Sequence, residues 1–198
     1  MSELTRREAL HRLALTIAAA GLVDPIAAQE AHHAVRQSAT ASGGSYVPKA
    51  LTIAEFRTLE RLTDLIIPAE SGKPGAVQCD VAAWIDMLLN VNAELKNRYT
   101  AGLAWIDQTM KARGGKDLVS APPAQQTALL DLIAFQKNRS PELTPGIDFF
   151  ILLRRMTADG FYTSPIGMRD VYLGNSPSAE FVVPKASIDH VISRSPLK

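Results

Sequence analysis

The 198-residue sequence holds one cysteine, Cys79, and four histidines. A single cysteine excludes an internal disulfide, a CxxC redox pair, a cysteine-rich zinc site and a CxxCH haem attachment. His11, His32 and His33 fall near the N-terminus, leaving His190 as the one histidine of the remaining chain. A histidine-rich metal site is therefore not expected, and a Ser-His-Asp triad would have to recruit His190. Neither sign of charge dominates: 21 Lys and Arg against 20 Asp and Glu give a net charge of +1. That balance carries no basic footprint for nucleic acid. No apolar run reaches the roughly 20 residues that span a bilayer. A GxxxxGK[ST] phosphate loop and a GxSxG elbow are also missing. Ser42-Gly43-Gly44-Ser45 has neither strand nor helix beside it to make a dinucleotide site.

What is present reads as an ordinary globular composition, 46% apolar and 21% charged, enough for one domain with a core. The N-terminus has the form of an address. Arg6 and Arg7 precede the apolar run Leu13–Val23, which suits the h-region of a secretory leader. The pattern resembles a twin-arginine export signal, with Ile26-Ala27-Ala28 as the cleavage site. The competing reading is an amphipathic first helix. Residues 1–28 are thus expected to be leader. Residues 29–48, rich in Ala, Ser, Gln and Gly, are expected to form a flexible linker, and 49–198 the folded domain.

The domain reads as a succession of helices. Thr52 with Glu55 has the form of a capping box, followed by Ile53, Phe56, Leu59, Leu62 and Ile66 at helical spacing and a stop at Pro68. Asp80 is a candidate N-cap for a second helix carrying Val81, Trp84, Ile85, Leu88 and Leu89. A third carries Leu95, Tyr99, Leu103, Ile106 and Met110 and stops at Gly114-Gly115. Pro122-Pro123 opens a fourth, continuing to Phe135. Thr144-Pro145 opens a fifth, ending near Gly160, whose Phe149–Leu153 stretch is apolar nearly all round and marks it as central. Ile188, Val191 and Ile192 suggest a short last helix. There is no sustained period-two alternation, so an all-α domain of five or six helices is predicted.

Residues that carry chemistry are few. Asp64, Asp86, Asp107, Asp131 and Asp148 lie on helices, where acids mostly serve as caps or solvated faces. A convergent pair such as Asp86 and Asp107 would instead make a stand-alone carboxylate enzyme. Phe149–Leu153 would suit an apolar-ligand-binding module. Cys79 is either a small buried residue or, in an exported chain, one half of an intersubunit disulfide. Residues 159–175 alternate aromatics with Gly, Pro and small polar groups, and are predicted to be irregular. Phe161, Tyr162, Pro165 and Tyr172 then either dock a partner or pack back on the core.

Three elements in order carry a resemblance: Leu51-Thr52-Ile53-Ala54-Glu55-Phe56 running to Asp64-Leu65-Ile66-Ile67-Pro68; Pro74-Gly75-Ala76 followed by Ala83-Trp84-Ile85-Asp86; and Asp159-Gly160-Phe161-Tyr162-Thr163-Ser164-Pro165. With the leader, they resemble the gluconate 2-dehydrogenase subunit 3 family over roughly 50–175. The resemblance implies a non-catalytic small subunit without catalytic, cofactor or metal residues of its own. It implies a large partner of the glucose-methanol-choline type that holds FAD and oxidises a sugar, polyol or glycoside. A cytochrome c subunit with haem c would take the electrons. It also implies a periplasmic complex, attached to the inner membrane only through its other subunits, in which the small chain supports folding and twin-arginine co-export of the large one.

Overall fold

The structure, a computed structural model, describes residues 25–172 and 183–195. The Arg6-Arg7 leader and the end of the 159–175 segment lie outside the described residues. Among those described, eight α-helices and one 3-10 turn are joined by loops, with no strand. We name the helices α1 (Pro25–Ala41), α2 (Ile53–Ile66), α3 (Val81–Leu89), α4 (Ala93–Ala112), α5 (Pro123–Ile133), α6 (Thr144–Thr163), α7 (Pro165–Tyr172) and α8 (Lys185–Arg194).

The all-α domain is as predicted. Thr52 and Glu55 close the capping box of α2, with the Thr52 N–H donating to Glu55 Oε2 at 2.8 Å. Asn92 caps α4 by accepting from the Leu95 N–H at 2.8 Å. Gly114 takes the left-handed backbone that ends α4, at φ +84°. Asp80 stands at the N-cap of α3 but is itself left-handed, at φ 53°, and its carboxylate makes no cap bond.

Two layers of contact organise the core. Every residue of α3 is buried, so this helix has no solvent face. Around it, α6 packs against α1, α2, α3, α4, α5 and α7, which makes it the hub expected from its apolar stretch. Phe149 meets Tyr99 edge to face, with ring centroids 5.5 Å apart. The Phe149 ring lies against Gly102, and the Trp105 ring against Gly146, so α4 and α6 interdigitate through reciprocal glycine notches. The Phe149–Leu153 stretch is thus spent on packing between helices.

Two segments depart from the sequence reading. The expected linker 29–48 is helical as far as Ala41 and docked on the core. Ala28, Ala31, His32, Ala34 and Val35 are all buried. Small side chains at helical spacing let α1 lie close on α3, which a composition reading takes for low complexity. The expected cleavage point after Ala28 falls inside this helix. The segment from Asp159, predicted irregular, is helical apart from a break at Ser164: α6 runs on to Thr163 and α7 follows. In the other direction, α5 stops before Phe135, which is exposed.

Candidate functional site

Of the acids named from the sequence, Asp86 and Asp107 bind loop backbone, Asp64 and Asp148 form ion pairs, and Asp131 is exposed. Asp86 on α3 is fully buried and accepts from the Tyr46 hydroxyl at 2.8 Å and from the backbone N–H groups of Lys49 at 2.7 Å and Leu51 at 2.9 Å. The Ala50 N–H adds a longer bond at 3.2 Å. A carboxylate has about four acceptor positions, so this one has none left for a substrate proton. Its work is to pin residues 46–51, the loop from α1 into α2. Burial and the Asp86 charge push the Tyr46 phenol well above its usual range, so it stays a donor. Asp107 accepts from the Leu118 N–H at 3.2 Å. Asp64 pairs with Arg61, and Asp148 with Arg139, each at 2.6 Å. Among the described residues, no group of three or more His, Cys, Asp or Glu is placed to hold a metal ion.

The sequence elements that carried the resemblance prove to be structural joints. The Ala76 N–H donates to the Ile67 carbonyl at 2.8 Å, and a Cβ on Gly75 would collide with the Pro68–Ala69 backbone. The Ile66-Ile67-Pro68 element and the Pro74-Gly75-Ala76 loop therefore clasp each other.

The Asp159–Pro165 element makes a second joint. Gly160 leaves room for the Trp84 ring, 2.9 Å from where a Cβ would stand. Phe161 is buried in the core, 3% exposed, which corrects its assignment as a partner-docking residue. An aromatic on the inner face of α6 is worth more to packing than to a surface. The Thr163 hydroxyl donates to the Asp159 carbonyl at 2.6 Å. The Ser164 hydroxyl donates to the Phe161 carbonyl at 2.8 Å and accepts from the Gly167 N–H at 2.9 Å, which caps α7. Pro165 is the first residue of α7, where its missing N–H costs nothing. A Cβ on Gly167 would overlap the Phe161 carbonyl, so only glycine fits this turn.

What this joint leaves outside is an apolar surface. Tyr162 is 53% and Ile166 43% exposed, with Pro165 exposed between them. Ile166 escaped the sequence reading, which weighed aromatics and prolines. Tyr172 belongs to α7, but its side chain lies outside the described residues. Beside the patch, a groove between α1 and the α6–α7 joint is lined by His32, Val35, Arg36, Cys79, Asp80, Ser164, Pro165 and Ile166. Burial raises the Asp80 carboxyl above its ordinary value, and the Arg36 charge opposes that shift. Burial likewise raises the Asp159 carboxyl, whose Oδ2 is enclosed without a hydrogen-bond donor. Cys79 is buried, 3% exposed, so its thiol cannot meet another chain's sulfur while this fold stands. That corrects the intersubunit disulfide.

The model of the gluconate 2-dehydrogenase subunit 3 family matches residues 53–179, more than half of the chain and both joints. The chain belongs to that family. Membership implies a place as one subunit of a dehydrogenase complex. The family match begins at α2, so α1 lies outside it, as does α8. No curated protein and no solved structure matches the chain.

Proposed function

We propose that this chain is the non-catalytic small subunit of a periplasmic FAD-dependent dehydrogenase acting on a sugar, polyol or glycoside. Its work is to support folding and twin-arginine co-export of the large, flavin-bearing subunit. The observation that carries the reading is the family match across both joints. The acids best placed for catalysis, Asp86 above all, are consumed in holding loops. The flavin is assigned to the large subunit on the same family reading. Electron transfer onward to a cytochrome c follows from the same family reading. The docking surface is assigned to the Tyr162–Pro165–Ile166 patch, whose aromatic and aliphatic groups are presented on a turn fixed by Ser164.

The direct test is expression of the catalytic partner with and without this chain. Soluble, flavin-loaded and exported partner is expected only when both are made. Equal yields in the two cases would overturn the proposal, and dehydrogenase activity from this chain alone would overturn its non-catalytic part.

A further inference from the structure

The N-terminal region is where sequence and structure disagree most. A leader cut after Ala28 would leave Gln29 as the first residue. Yet Ala28 is 0% exposed, and its carbonyl accepts the indole N–H of Trp84 at 3.2 Å. Trp84 is itself fully buried at the middle of α3. One side of its ring is met by the notch at Gly160. His32 stacks on the ring with centroids 5.7 Å apart and planes 21° from parallel. The His32 Nε2 also lies 3.3 Å from Thr163 Oγ1 on α6. The inner stripe of α1 is therefore Ala28, Ala31, His32 and Val35, seated on a tryptophan that α3 and α6 jointly position.

Loss of residues up to Ala28 would take away the acceptor of a buried donor, a costly change. A processing enzyme also needs several residues in extended form, and a docked helix supplies them only when it opens. We propose that α1 is a latch of the folded domain that stays on the mature chain, so that removal of N-terminal residues is confined to those before Pro25. Only a folded core presents Trp84, so α1 closes when the rest has folded. The latch does not depend on the export reading and is tested without it.

Limited proteolysis of the full chain with a broad-specificity protease, read by mass spectrometry, decides the matter. Cutting within 28–41 is expected to be at least tenfold slower than in the exposed segments 42–45 and 70–73. Equal rates would overturn the latch. Trp84→Phe keeps a ring but removes the donor, and is expected to raise cutting inside α1 roughly three- to tenfold. Ala31→Glu places a charge on the buried stripe and is expected to abolish the protection while cutting at 70–73 stays unchanged. Protection of α1 unaltered in both variants would overturn the assignment of Trp84 and the Ala31 stripe as its seat. Failure of the chain to be exported would leave these rates unaffected, so the two readings fail separately.

Discussion

At the scale of single residues, the buried polar groups decide most. Asp86 gathers its donors from Tyr46, Lys49, Ala50 and Leu51, 35 to 40 positions away in sequence. Nothing local announces that role, which is why the sequence leaves Asp86 as a candidate acid. Asp86→Ala would leave the buried Leu51 N–H and three partly buried donors without their acceptor, and a loss on the order of 3 kcal/mol is expected from urea unfolding. The glycine notches give a graded pair. At Gly102 a methyl group would meet the buried Phe149 ring, and Gly102→Ala is expected to cost about 1–3 kcal/mol despite alanine's better helix propensity. Trp105, which faces Gly146, is only partly buried and can swing outward, so Gly146→Ala is expected to cost less in the same assay.

Among the described histidines, His32 carries a resolved pH dependence. Burial lowers its pKa from 6.5 to about 4, and the nearby Arg36 and His33 charges add to this, while a bond to the Gly160 carbonyl works against it. The unfolded chain therefore binds the proton more readily than the folded one. Stability from this group is full above about pH 6.5 and falls as the pH drops toward 4. The loss amounts to about 3 kcal/mol at the lower end. Thermal unfolding across that range should show the fall in the native chain and a flatter profile in His32→Gln.

At the scale of helices, legibility followed side-chain size. The Val81, Trp84, Ile85, Leu88, Leu89 pattern and the Leu95–Met110 stripe stand out because large apolar groups recur at helical spacing, and all of them are buried. The stripe of α1 has the same spacing in smaller letters. Ala28, Ala31 and Val35 bury little area each, and the alanines suit a solvated linker as well as a close helix contact. The helix α7 was hidden for another reason. Pro165 and Gly167 read as breakers, whereas here one starts the helix and the other clears the Phe161 carbonyl. The patch beside them calls for a selective change. Tyr162→Asp is expected to lower the stability of the isolated chain by no more than about 1–2 kcal/mol, because about half of the ring is in solvent while the rest meets Phe161 edge to face near the end of α6. Co-purification with the catalytic subunit should fall sharply. Undiminished recovery of the pair would remove this patch from the interface.

At the scale of the molecule, the family match from 53 to 179 takes in α2 to α7, while α1 is laid on from outside it. Histidine and cysteine are scarce, and the two that matter structurally, His32 and Cys79, are buried against the core rather than offered to chemistry. The domain's polar interior is spent on joints: Asp86 under the 46–51 loop, Ile67 with Ala76, and Ser164 between α6 and α7. On the proposed function, a scaffold built this way would present a fixed turn to the large subunit.

The stack of His32 on Trp84 has one more consequence. The protein contains only two tryptophans, and Trp105 sits near the surface while Trp84 is enclosed beside an imidazole. A protonated imidazole quenches indole emission at contact range, and an indole released to water emits at longer wavelength. The chain thus carries its own optical gauge. With Trp105 replaced by Phe, emission from Trp84 is expected to read both the proton on His32 and the seating of the first helix, with no label added.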